Sequence, residues 1–220
     1  MNKIKKTTAT MMLSPELIRA ALSLRGFNTA AAHSAMSPSP RPLKRPADKP
    51  GIPHIGAVLL VLYEKFSSPH ILLIRRQDDL KYHPGQISFP GGRQEPGEQL
   101  LETALRETQE EVGLQRSCIE VLGELAPVYI SPSDFLVHPF VAWHPGQPEL
   151  RKNKDEVAEI IETPLGLFLD PSMGCTEIRI MNNTELTVPF YRLGGDNVWG
   201  ATAMMLSELL ERLKGAHFFV

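Results

Sequence analysis

Residues 92–114 read GRQEPGEQLLETALRETQEEVGL, a turn followed by a segment with helical periodicity. Leu101, Ala104, Leu105, Thr108 and Val112 recur at three- and four-residue intervals and predict one buried stripe. Glu107, Glu110 and Glu111 share another face of the same helix. Like charges at these spacings destabilise a bare helix by roughly a few tenths of a kcal/mol per pair. A hard divalent cation such as Mg²⁺ or Mn²⁺, which prefers carboxylate oxygen, turns that repulsion into binding. The plain alternative is a charged, solvated helix face ended by Gly113.

The rest of the composition fits one ordinary domain with extra segments. The chain has 220 residues, 42% of them hydrophobic, enough for a real core. A net charge of −2 gives no single-sign field and argues against broad nucleic-acid binding. Cys118 and Cys175 lack metal-ligand spacing, which points to reduced thiols rather than a disulfide framework. The longest apolar run, Ile55 to Tyr63, is far short of a membrane span, and the first residues lack the apolar stretch of a cleaved signal. A cytoplasmic protein is expected.

Residues 1–13 read as a flexible N-terminus, and residues 14–27 as an accessory helix opened by Ser14 and Pro15. Residues 28–51 are rich in Pro, Ala and Ser and are expected to form an extended linker. The main domain is expected over residues 52–215. Ile55–Tyr63 and His70–Arg75 predict a hairpin, and Gly85–Gly92 turns the chain into the acidic helix. Ile119–Tyr129 and Leu136–Trp143 supply further strands, and a helix is expected to start within Pro164–Leu169. A late hairpin around Asn182 and Asn183 and a closing helix at Ala201–Leu213 complete a mixed sheet covered by helices.

The acidic stretch resembles the Nudix box, G-x5-E-x7-R-E-U-x-E-E-x-G-U, with U a bulky aliphatic residue. Gly92, Glu98, Arg106, Glu107, Glu110, Glu111 and Gly113 fill its fixed positions, and Leu114 its last U. Thr108 departs from the aliphatic consensus, at a small expected cost in stability. The resemblance implies an α/β fold, the Nudix α/β/α sandwich with a mixed β-sheet, and metal-dependent attack of water on a diphosphate. It implies Glu107 and Glu111 as metal ligands, with Glu110 next, and leaves open which of the three activates water. Arg106 is expected to pair with a box glutamate or to bind phosphate directly. Glu98 is expected either to ligate metal or to cap the helix, and the Gly91 carbonyl is an extra ligand by the same likeness.

Upstream, LLIRRQDDLKYHPGQISFPGG (residues 72–92) looks like the accessory signature of coenzyme A pyrophosphatases, approximately L-L-T-x-R-S-x3-R-x3-G-x3-F-P-G-G. Leu72, Leu73, Arg76, Gly85, Phe89, Pro90, Gly91 and Gly92 agree, while Ile74, Gln77 and Lys81 replace Thr, Ser and Arg. Arg76 and Lys81 become the expected substrate-binding cations, Lys81 without the planar fork of arginine. The implied substrate is a small nucleotide of the coenzyme A type, with no nucleic acid or membrane partner and a homodimer as an open possibility. Two rival readings are a Nudix hydrolase for another nucleoside diphosphate derivative and a non-catalytic ligand-binding module. His83 and His138 either touch substrate or are solvated or structural histidines, and Phe135 and Trp199 either pack in the core or stack on a base.

Overall fold

The computed structural model describes residues 13–40, 44–80, 83–181 and 183–216. Its centre is β1 (His54–Lys65), whose apolar residues alternate between two cores because strand side chains point to opposite faces in turn. Ala57, Leu59, Val61 and Tyr63 face one core; Leu60 and Leu62 face the other. β2 (Ser68–Arg76) returns antiparallel from the expected hairpin, and β7 (Phe135–His144) lies parallel to β1 along its whole length. With β3 (Ile87–Ser88) and β5 (Glu120–Glu124) the order is β3-β2-β1-β7-β5. Three further strands join this mixed sheet: β4 (Gly91–Arg93) on β1, β6 (Val128–Ile130) on β7 and β8 (Val157–Pro164) on β2.

The acidic helix is α3 (Leu100–Val112), which covers the core face formed by Leu59, Val61, Leu72 and Ile74. Ala104, Leu105, Thr108 and Val112 are buried as the periodicity predicts, and Leu101 packs at the margin. Thr108 satisfies its hydroxyl by donating to the Ala104 carbonyl oxygen at 2.7 Å, one turn back. Gly113 ends the helix in the left-handed region at φ 73°, its N–H donating to the Gln109 carbonyl. On the opposite face lie α1 (Pro15–Leu22), α2 (Thr29–Ala35) and α4 (Gly200–Gly215), giving an α/β/α sandwich.

Several expectations need revision. The stretch taken as an extended linker holds α2, capped where Asn28 accepts from the Ala31 N–H at 3.0 Å. Ser207 of α4 donates to the Ala32 carbonyl, and His33 meets the buried Glu208 at 2.8 Å, so this segment is stitched to the domain. Composition concealed it, because prolines follow the Ala-rich turn rather than interrupt it. Val157–Pro164 is a full strand, β8, and the helix expected within Pro164–Leu169 is a 3₁₀ turn at Leu165–Leu169. The late hairpin is β9 (Gly174–Met181) with β10 (Thr184–Leu193), and β11 (Asp196–Trp199) adds a third strand that its short sequence did not announce. The reading of residues 1–13 lies outside the described residues except at Leu13, which is buried.

Candidate active site

α3 and β4 meet at two consecutive glycines. A Cβ on Gly92 would lie 2.5 Å from both Glu107 carboxylate oxygens, and one on Gly91, at φ 151°, would lie 2.6 Å from Val58 Cα. Only bare backbone lets β4 pair with β1 while the helix presses its carboxylates onto it. The Gly91 N–H donates to Glu111 Oε2 at 2.9 Å. Glu111 is 1% exposed, and its other oxygen, Oε1, has no hydrogen-bond partner. Its nearest cation is Arg76, with Nη1 at 3.5 Å, too long for a strong hydrogen bond.

Glu107, Glu111 and Glu156 each bring a carboxylate oxygen within 4.8 Å of the others. Glu156 was missed as a site residue because it arrives from outside the helix. The Arg151 and Asn153 N–H groups donate to the Val112 and Glu111 carbonyls, both at 2.9 Å, and fasten the segment before β8 to the end of α3. Glu110 and Glu98 stand outside this trio. Glu110 is exposed and accepts from Arg106 Nη1 at 3.1 Å. Glu98 accepts from Arg106 Nε at 2.9 Å, from the Thr103 hydroxyl at 2.7 Å and from the Glu95 N–H at 3.1 Å. It therefore braces the turn before α3, where the N-cap residue Gln99 makes no side-chain cap.

Arg106 is the hub of this brace, donating also to Glu107 Oε1 at 2.9 Å and to the Arg93 carbonyl at 3.2 Å. The charge balance differs across the site. Hydrogen bonding from Arg106 draws the Glu98 carboxyl down to about 2. Burial pushes Glu107 up, and burial pushes Glu111 up to about 8 against the opposing pull of the Gly91 N–H and Arg76. Three carboxylates crowded together, with one buried oxygen lacking a donor, are a poor structural ion network and a good donor set for Mg²⁺ or Mn²⁺.

Arg76, Gly91 and Gly92 also line a cavity of about 380 Å³ that opens on the other side of β4. Its walls are mostly apolar: Phe89, Val137, Phe135, Met205, Met181 and Trp199. Arg75 holds the Trp199 wall in place by gripping Asp196 of β11 at 2.9 and 2.5 Å, and Thr202 of α4 donates to the Ile87 carbonyl at 3.0 Å. His83 reaches Ser133 at 3.2 Å and lines the cavity, whereas His138 sits in β7, within the strand expected over Leu136–Trp143, where burial lowers its pKa. Lys81 lies outside the described residues. Among the described residues, no helix is long and apolar enough to cross a membrane.

Comparison with known proteins bears on the family and the fold. A family model described as the NUDIX domain matches residues 53–172. An uncharacterized Nudix hydrolase, NudL, of Yersinia enterocolitica is 37% identical over 163 residues, covering 73% of this chain and 82% of its own length. Its namesake from Photorhabdus laumondii is 36% identical over 160 residues, covering 72% and 84%. Among solved structures, a MutT/nudix family protein from Enterococcus faecalis superposes with a TM-score of 0.53 at 17% identity, over 78% of this chain and 66% of its own. The MutT protein of Methanosarcina mazei gives 0.50 at 19% identity, over 77% and 99%. At such identities these two structures speak to the fold.

Proposed function

The chain belongs to the Nudix hydrolase family and is a pyrophosphatase; from that premise we propose that it cleaves the diphosphate of coenzyme A, free, acylated or oxidised, into 3′,5′-ADP and 4′-phosphopantetheine or its derivative. The observation that carries the reading is the junction at Arg76, which touches the acid cluster and lines an apolar cavity large enough for part of a nucleotide or pantetheine arm. Of the upstream residues that resemble the coenzyme A signature, Phe89, Gly91 and Gly92 line the cavity, and Gly91 and Gly92 also adjoin Glu111 and Glu107.

Glu107, Glu111 and Glu156 would hold the cation, with the bare Gly92 backbone leaving room beside Glu107. When bound, Mg²⁺ or Mn²⁺ supplies neutralisation of phosphate charge and acidification of water. Arg106 fixes the Glu107 carboxylate and the entry to the helix, so the donor set is formed before substrate arrives. Arg76 has N–H groups left over from its long pairing with Glu111 and donates them to the diphosphate. Water forms a bond to phosphorus, the bridging oxygen leaves with its electron pair, and a carboxylate of the cluster accepts the proton of water. Trp199 and Phe135 offer faces on which adenine stacks.

Incubation with Mg²⁺ or Mn²⁺ and a panel of coenzyme A, ADP-ribose, NADH and nucleoside triphosphates, with products identified by mass, tests this reading. Release of 3′,5′-ADP at the highest kcat/KM of the panel is expected. Faster turnover of ADP-ribose or of a triphosphate would assign the cavity to another diphosphate.

A further inference from the structure

β9 forms the edge of the three-stranded sheet, and among the described residues no strand pairs with its outer side. Exposed edges are normally blunted by brevity, proline, lysine or a covering element. The β5 edge shows such a cover, since Arg19 of α1 donates to the Leu122 carbonyl and pairs with Glu120. Among the described residues β9 has no such cover: it runs for eight residues without Pro, Lys or a bulge, its charges limited to Glu177 and Arg179, and shows Ile178 and Ile180 58% and 77% exposed. From the self-complementarity of this edge we infer that β9 is a docking surface for a second copy of the chain, pairing antiparallel with its own counterpart about a two-fold axis at Ile178.

The register follows from hydrogen bonding and charge. Thr187 spends its main-chain N–H and C=O on Ser39, so Ile178, its opposite number across the β9–β10 ladder, turns its own N–H and C=O outward. Ile178 can therefore exchange both bonds with Ile178 of a second copy. The same register sets Ile180 against Thr176 and Glu177 against Arg179 on both sides of the axis; these two already pair within each strand, so the register keeps like charges apart. Centring the axis on Glu177 or on Arg179 instead places like charges directly opposite each other, which is destabilising. The sequence TEIRI is thus close to charge-palindromic about one isoleucine. An edge of this length buries less than the roughly 1,200–2,000 Å² of a standard interface, so the dimer is concentration-dependent. It also lies beside the active-site cavity, since Met181 ends β9 and lines that cavity.

Sedimentation velocity on the full chain is expected to show mass rising from one chain to two as concentration increases, and Ile178→Lys is expected to stay at one chain throughout. A wild-type protein that remains monomeric over the whole series, or an Ile178→Lys variant that still dimerises, overturns the proposal. A second test reads the register and does not depend on affinity. With Cys118 and Cys175 replaced by Ser, Ile178→Cys should link to its own copy under mild oxidation. Ile180→Cys should not, yet should link to Thr176→Cys when the two proteins are mixed. Cross-linking of Ile180→Cys to itself in preference to Thr176→Cys contradicts the assigned axis.

Discussion

Two glutamates, each with almost no surface exposed, sit on helices covering opposite faces of the sheet, and only one of them is satisfied. Glu208 of α4 accepts from Arg212 Nε at 2.9 Å, from the Ala126 N–H at 3.2 Å, and pairs with His33 at 2.8 Å. Glu111 of α3 has one main-chain donor, a long approach from Arg76, and an oxygen that accepts nothing. Buried polar groups are nearly always partnered because an unpaired one forfeits its hydration. Glu208 is therefore a structural clasp holding α2 and the loop before β6 to α4. Glu111 is held short of partners by the glycine pair and by two neighbouring acids, an arrangement that a cation completes.

The largest expected effect separates the two on activity. Glu107→Gln and Glu111→Gln should each lower kcat/KM by on the order of 10²–10³-fold while the thermal transition holds. Glu208→Ala should do the reverse, costing roughly 3–5 kcal/mol of stability by stranding Arg212 and His33, with turnover per folded molecule little changed. Denaturant titration and initial rates on the same preparations check both. Equal effects of the two substitutions on activity would erase the distinction.

A smaller effect appears with pH in the presence of a chelator. Because the folded protein holds the Glu111 proton up to about 8 while the unfolded chain releases it near the ordinary glutamate value, the unfolded state binds fewer protons between these limits. The contribution of Glu111 to stability is thus present at acid pH and is lost as pH rises through about 8, on the order of a few kcal/mol. Glu111→Gln should flatten that slope in the metal-free protein, and added Mg²⁺ should restore stability to the wild type at pH 8. A wild-type slope unchanged by the substitution would mean that the buried carboxyl titrates normally. The smallest effect is expected at Thr108, another satisfied buried group: Thr108→Val removes one bond to Ala104 but restores an aliphatic side chain to the buried stripe, so the two offset to within about 1 kcal/mol, with kcat unaltered.

The same contrast explains what the sequence made legible. Glu107, Arg106 and Glu111 could be placed because helical spacing is local and three or four residues set a face. The central hairpin and the strand over Leu136–Trp143 also followed from apolar runs bounded by turns, whereas the parallel pairing of β7 with β1 is a long-range contact that local sequence does not announce. Glu156 could not be placed, because its position depends on main-chain bonds from Arg151 and Asn153 to the end of α3. Helical spacing likewise grouped Glu110 with the other acids, whereas Arg106 draws it to the exposed side. α2 was hidden because it is only seven residues long and its cap, Asn28, was read within a compositional linker. The Trp199 wall depends on β11, whose four residues carry no periodic signal and are fixed by Arg75 from a distant strand.

Titration of Mn²⁺ into the metal-free protein, followed by its electron paramagnetic resonance signal, tests most directly the claim that Glu111 is left short of partners for a cation. The wild type and Glu208→Gln should bind the ion alike, and Glu107→Gln, Glu111→Gln and Glu156→Gln should each weaken it by about tenfold or more. Binding by Glu111→Gln as tight as that of the wild type would contradict the account.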